Sequence, residues 1–389
     1  GGRRTRGRAE LRPRGAVGPG LQNLGNTCYM NAVVRARAVC GPTSGRLADA
    51  DAAEHTTAGR RHTALLFRAL LRAPRTHGRS WGADTVSPRD LWRWVREVYD
   101  PFDNTRQHDA SEFLLLWRQH LGPPGGAEPS TTWAAWRAEA EALPTTRIKC
   151  RTCNKVRVNR SLRQEPNGLW PATVKPLASY AGVLDALRQS STETPDDWRC
   201  RTCGGLGATK WYRYRQLPKV LTIQLNRYDP LNGHRRSNAE VSTEEELDLA
   251  EYAEPAGQVA PGEIVEVPDE DPAPAAGGAE HAEPAEQVAP AEPIELPEEG
   301  DASARGGGNG RGEDARQTKY RLRAVVCHVG ESMSEGHYTA WVRERPSQEG
   351  EEDGEEEAPR QAGWTHYDDT NVTPGHKNLP ESVAQSGYL

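Results

Sequence analysis

The sequence predicts an α+β protein. Capped, helix-period apolar patterns fill the chain up to about residue 145, and period-two patterns follow. Size permits such a fold. The 389 residues carry a net charge of -6, but 20 acids without a base lie in Glu240–Asp301 and another 7 in Glu349–Glu357. Without those stretches the charge is near +21, and the remainder, about 310 to 330 residues, can bury a real core. A wholly disordered protein is excluded.

Residues 1–18 are Gly, Arg and Pro with almost nothing apolar, and are expected to be a disordered basic tail. The turn-rich LQNLGNT from Leu21 leads into CYMNAVVRARAV, expected as one helix beginning near Cys28 and capped by Asn26 or Thr27. Ser87, Pro88 and Asp90 occupy the cap, first and third positions of a second helix with Leu91, Trp94, Val95 and Val98 as its apolar set. A third runs from about Asp109 to His120, closed by Gly122. In KVLTIQLNRY, Leu221, Ile223 and Leu225 alternate with Val220, Thr222 and Gln224 as in a strand. YRLRAVVCHV, HYTAWVR and WTHYDD read the same way. The acidic stretches are expected to be disordered surface insertions, at 253–316 and 345–362, because like charges repel and bury nothing. EYAEPAGQVAPGE from Glu251 recurs as EHAEPAEQVAPAE from Glu280, which reads as duplicated linker, since Pro-rich copies without an apolar face cannot stack.

No run of about 18 apolar residues could span a membrane, and the Arg-rich start lacks the apolar core of a signal peptide. An intracellular protein, cytoplasmic and/or nuclear, is expected. Seven cysteines, four of them in two close pairs, argue against a disulfide framework and for metal or thiol chemistry.

Cys28 follows a Gly-Asn-Thr turn at a helix start, where unpaired N–H groups and the dipole favour thiolate. Asn23, five residues earlier, could donate its amide to a developing oxyanion. A buried structural cysteine is the ordinary alternative. SEGHYTAW and WTHYDD add His337, preceded by a Gly336 that permits close chain approach, and Asp368, which could hold the imidazole in one tautomer. Cys150 with Cys153 and Cys200 with Cys203 have the spacing of two zinc knuckles. One structural Zn ion is expected there, with a redox pair or metal-free thiols as alternatives. Four sulfurs would fill the tetrahedron, so no catalytic cofactor is expected. Cys40 and Cys327 look like small core residues.

In order, GLQNLGNTCYMNA, QHDASEF, LPKVLTIQLNRY, GHYTAW and WTHYDD resemble the motif boxes of the ubiquitin-specific proteases, from roughly Gly20 to Leu389. The resemblance implies a papain-like cysteine protease with a helical thumb (19–144), zinc-bearing fingers (145–215) and a β palm (216–389). It implies Cys28 as nucleophile, His337 as general base and acid, Asp368 as third triad member, Asn23 as oxyanion donor and Asp369 as the second acid supporting the site from behind. Asp109 and Glu112 match the acids that meet the arginines of ubiquitin's tail, though they could be ordinary exposed acids. Tyr338 matches a position near the tail channel and could equally be core. The implied partners are ubiquitin or ubiquitinated proteins, with a ubiquitin-like modifier as the variant.

Three departures stand out. Val34, Arg35, Ala36 and Arg37 replace the family's usual apolar and Gln residues after the cysteine box, Glu335 stands where Gly or Ser is common, and the chain stops at Leu389, where the family usually continues into a strand. The rival function is a catalytically weak or inactive ubiquitin-binding scaffold of the same fold; the presence of every triad position argues against it. A zinc-containing nucleic-acid binder rests on charge alone, so nucleic acid is not an expected partner, and neither is a membrane.

Overall fold

A computed structural model describes residues 18–51, 55–72, 85–102, 105–121, 132–160, 169–176, 178–229, 235–254, 263–266, 318–332, 335–343 and 363–389. All belong to one compact unit. The basic tail expected at 1–18 lies outside them except for Gly18, and so does the insertion at 345–362. Among them no helix is long and apolar enough to cross a membrane.

Six helices come first: α1 (Cys28–Val39), α2 (Thr43–Asp49), α3 (Ala58–Arg72), α4 (Arg89–Val98), α5 (Ala110–Leu121) and α6 (Thr132–Ala138). Before α4, two short strands, β1 (Gly20–Leu21) and β2 (Thr85–Val86), pair in parallel. Helix α1 starts at the expected residue and is the axis of the unit. Ten of its twelve residues are buried, because it packs on other helices and on sheet strands at once. Its two arginines are therefore buried too, which a surface helix would not tolerate. Thr27 holds the cap position but does not cap with its side chain. Its hydroxyl accepts from Leu24 N (2.9 Å) and donates to Asn23 Oδ1. Helix α4 starts one residue later than expected, with Pro88 at the cap, and buries Trp92 along with Leu91, Trp94 and Val95. Asp109 caps α5, its Oδ1 accepting from Ser111 N (2.8 Å) and Glu112 N (2.9 Å). The helical core is aromatic: Tyr29 stacks on Phe102 and Phe113 on Trp117, each pair 5.6 Å between centroids.

Arg37 is buried against Glu139 (3.7 Å), its guanidinium over the Trp136 ring and its Nη1 donating to Cys40 O (2.7 Å). Glu139 Oε1 also accepts from Thr43 N (2.9 Å). Removing one member of a buried pair leaves an uncompensated charge. Glu139→Ala is therefore expected to lower unfolding free energy by about 3–5 kcal/mol in urea denaturation.

The later elements are mostly strands. They are β3 (Leu143–Cys150), β4 (Val156–Arg160), β5 (Leu169–Thr173), β6 (Thr192–Glu193), β7 (Ala208–Gln216), β8 (Thr222–Asn226), β9 (Tyr228–Asp229), β10 (Arg235–Arg236), β11 (Glu246–Asp248) and β12 (Glu263–Glu266). After these come β13 (Lys319–Arg321), β14 (Ala324–Ser332), β15 (Glu335–Arg343), β16 (Trp364–Asp368) and β17 (Asn371–His376). Helix α7 (Val183–Ser190) interrupts the series, and α8 (Ser382–Ser386) follows its last strand. One five-stranded sheet has the order β12-β4-β3-β7-β6, and a four-stranded antiparallel sheet runs β14-β15-β16-β17. Strand β8, expected from its alternation, pairs in parallel with β5. YRLRAVVCHV is two strands, not one: Lys319–Arg321 pairs with β11, and the ladder breaks at Leu322 and Arg323, the Leu322 N–H going to Glu245 O.

The insertion expected at 253–316 starts later than its acidity suggested. Glu254 is buried, bonded to Arg147 (3.3 Å) and to the Thr145 hydroxyl. Upstream in the same acidic run, Glu244 accepts from Val183 N (2.8 Å) and so caps α7. Both are acids with built partners, which charge density alone cannot reveal. Glu263–Glu266 pairs in parallel with β4. The rest of that insertion, with both copies of most of the repeat, lies outside the described residues.

Candidate active site

The turn before α1 needs left-handed backbone at two successive residues, Gly25 (φ 97) and Asn26 (φ 50). Glycine and asparagine are the residues that tolerate it. Asn23 Oδ1 braces this turn, accepting from Gly25 N (3.0 Å) and Thr27 N (3.2 Å). Cys28 is thereby set as the first residue of α1, 3% exposed.

His337 and Asp368 lie on neighbouring strands, β15 and β16, and His337 Nε2 meets Asp368 Oδ1 at 2.6 Å. Gly336 has φ 135, and an added Cβ would come within 2.4 Å of Val329 O on β14, so the close approach expected at this glycine is real. The His337 imidazole is pushed up to about 9, first by its hydrogen bond to Cys28 and then, against the cost of burial, by Asp368. The field of His337 reaches two more histidines, His328 on β14, lowered to about 4 first by burial, and His366 on β16, also lowered first by burial.

With a folded pKa above the ordinary 6.5, the protonated His337 contributes in full below 6.5 and is lost as pH rises through 9. The alkaline limb of kcat/KM is expected near 9, and Asp368→Ala should move it down. A pH–rate profile of both proteins measures it.

Asp369, left-handed at φ 51, accepts from Asn23 Nδ2 at Oδ2 (2.8 Å) and from Asn31 Nδ2 at Oδ1 (2.7 Å). It thus ties the two amides around the cysteine to the acid-bearing strand. One N–H of Asn23 is used there, which leaves the other for an oxyanion. Asn31 was not expected; its signal was its place one turn after Cys28. Gln107 was also missed. Its Nε2 donates to Cys28 Sγ at 3.8 Å, and it opens the QHDASEF segment.

Three expected substrate contacts fare differently. Glu112 is exposed, accepting from the Tyr99 hydroxyl (3.3 Å). Asp109 uses one oxygen for its cap and accepts the Tyr388 hydroxyl with the other, so it is half-buried and not the free acid the spacing suggested. Tyr338 takes the core alternative: it is 1% exposed, its ring 4.4 Å from that of His328. Neighbouring residues on a strand point to opposite faces, so Tyr338 turns away from the His337 side and into the core around α1. A cavity of about 230 Å³ between α1, β8 and β14 includes no triad residue.

Cys150, Cys153, Cys200 and Cys203 converge, all four sulfurs within 4.8 Å. A tetrahedral ion with bonds of about 2.3 Å holds its sulfurs about 3.8 Å apart; Cys150–Cys203 is 3.7 Å and Cys153–Cys200 is 3.8 Å. Thr152 N and Gly205 N each point at a sulfur, at 3.4 Å, and favour thiolates. None of the four is in a disulfide, and the set fits one tetrahedral metal. Cys327 is a core thiol, pushed up to about 11 by burial.

A cysteine at a helix start facing a histidine and an aspartate on adjacent antiparallel strands is the arrangement of papain-like thiol hydrolases. Residues 19–389 match the family described as ubiquitin carboxyl-terminal hydrolase, and the chain belongs to it. Relatives include ubiquitin carboxyl-terminal hydrolase 23 of Arabidopsis thaliana, 26% identical over 55% of this chain and 25% of that protein. Human ubiquitin carboxyl-terminal hydrolase 37 is 24% identical over 54% of this chain and 23% of its own length. The aligned part thus spans about a quarter of these curated relatives. The fold is also similar to that in the SAGA Ubp8/Sgf11/Sus1/Sgf73 DUB module bound to ubiquitin aldehyde, with TM-score 0.58 and 17% identity over 97% of this chain and 70% of that one.

Proposed function

We propose that this chain is a deubiquitinating cysteine protease that hydrolyses the isopeptide or peptide bond after ubiquitin's C-terminal glycine. The convergence of Cys28, His337 and Asp368, with Asn23 beside them, carries the proposal. Cys28 attacks the glycine carbonyl and Asn23 donates to the oxyanion. His337 protonates the departing amine, leaving a thioester, and then takes a proton from the attacking water. Asp368 orients His337, while Asp369 holds Asn23 and Asn31. The exposure of Glu112 supports its contact with ubiquitin's basic tail. One Zn ion held by Cys150, Cys153, Cys200 and Cys203 supplies a structural clamp and no chemistry. The subdomains are a thumb at 19–144, fingers at 145–215 and a palm at 216–389.

The test is a ubiquitin probe with a C-terminal electrophile. Covalent labelling that maps to Cys28 is expected. Tight binding without labelling would instead support the scaffold reading, and labelling only by a ubiquitin-like probe would change the modifier.

A further inference from the structure

Helix α1 presents three side chains at i, i+3 and i+7 to the strand end that carries both acids. Cys28 meets His337, the partner of Asp368; Asn31 holds Asp369; Arg35 holds Tyr367. Arg35 lies over the Tyr367 ring, Cζ 3.8 Å from its centroid, and its Nη2 donates to the Tyr367 hydroxyl. The same hydroxyl accepts from Gly18 N (3.2 Å). Arg35 is 4% exposed, and among the described residues no carboxylate pairs with it. A buried guanidinium is costly unless its setting compensates, so a position two turns behind Cys28 would ordinarily be apolar. Here the compensation comes from the ring and hydroxyl of the residue that directly precedes Asp368 and Asp369. Beside them lies a cavity of about 10 Å³ lined by Asn31, Arg35, Tyr367 and Asp369. Asn31 Oδ1, Arg35 Nε and Arg35 Nη1 are buried without a protein partner. That volume suits one water, which would accept from Arg35 and donate to Asn31.

We infer that Arg35 is a positioning residue: by clamping Tyr367 it fixes the Asp368–Asp369 strand end against the nucleophile helix and so sets the His337–Asp368 geometry. The inference rests on the deubiquitinase reading only for its activity readout.

The competing role is mere packing, and the sign of one shift separates the two. His337 is faced by Cys28 from α1, Asp368 and Asp369 from β16 and its turn, and by His328 and His366, whose imidazoles burial holds below the ordinary value. Deleting the Arg35 charge alone would raise the His337 pKa; loosening Asp368 would lower it. Arg35→Met keeps the volume and removes the clamp. Expected are a kcat on a fluorogenic ubiquitin C-terminal amide lowered roughly 10–100-fold, an unchanged KM, and a His337 titration shifted downward by NMR. Tyr367→Phe, which keeps the ring and loses only the hydroxyl, should shift both readouts the same way by less, and should add little in the Arg35→Met background. Arg35→Lys keeps the charge but loses the planar stack, so it should restore only part. An unchanged or upward His337 titration in Arg35→Met and Tyr367→Phe overturns the inference. If the wild-type chain turns over no ubiquitin amide, the functional reading fails, and the NMR titration still decides the role of Arg35.

Discussion

Cys28→Ala is expected to reduce kcat/KM on a ubiquitin C-terminal amide by more than about 10⁴-fold, measured with enzyme in excess to detect residual turnover. The magnitude follows from the loss of the covalent route. On the proposed mechanism the site without the sulfur would retain only Asn23 as oxyanion donor and His337 to activate water, and triad sites stripped of their nucleophile keep a small residue of catalysis. Ubiquitin binding should survive, because Cys28 is buried in the α1 core at 3% exposure and alanine leaves the helix face intact. A Cys28→Ala protein with more than a hundredth of wild-type turnover would sink the thioester mechanism. His337→Ala should approach the same loss, since the two groups act as a unit and their effects do not add.

The second large effect concerns the four sulfurs. Removing the metal with a chelator, or replacing Cys200 by Ser, is expected to take the metal content from one Zn per chain to near zero by elemental analysis. It should also open the tips around residues 150–155 and 200–205. Structural zinc contributes about 10–16 kcal/mol in small zinc-finger peptides. Each knuckle is closed by its own turn bonds, Cys150 N to Lys155 O and Cys200 N to Gly205 O, and the two are joined by Arg151 N to Gly207 O, with Arg151 Nη2 also donating to Asp196 (2.6 Å). Cys150 and Cys200 are buried, but none of the four belongs to the aromatic core around α1. Loss should therefore be local. Trypsin cleavage at Arg151, Lys155, Arg199 or Arg201 should accelerate at least about 100-fold, while far-UV CD of the helices changes little. Global unfolding would show that the clamp supports more than the tips, and an unchanged cleavage rate would remove the structural role altogether.

These expectations differ in how much of their basis the sequence carried. Helix α1 could be placed to the residue because a strained turn and an apolar run are local signals. The cysteine pairs were equally plain, since a C-x-x-C turn aims two sulfurs by itself. The partnering of β8 with β5, or of Glu263–Glu266 with β4, was not, because pairing joins residues far apart in sequence and alternation does not name a partner.

The acids show the same division. As a run, Glu240–Asp301 read as solvated, yet Glu244 and Glu254 are structural because Val183 N–H and Arg147 meet them. Asp109 and Tyr338 could be read either as substrate contacts or as structural residues; Asp109 caps α5, and Tyr338 is buried in the core. Arg35 and Arg37 looked like misfits after the cysteine box; burial against Tyr367 and Glu139 gives each a partner.

The sequence by itself determined which atoms could do chemistry: a thiol at a helix start, an imidazole, three carboxylate or amide neighbours, and four sulfurs in two turns. Only the tertiary structure decided which polar groups are free to act and which are consumed in holding the chain. That depends on burial and on partners from distant segments, and a charge or a hydroxyl has no fixed role until folding has removed its water and chosen its neighbour.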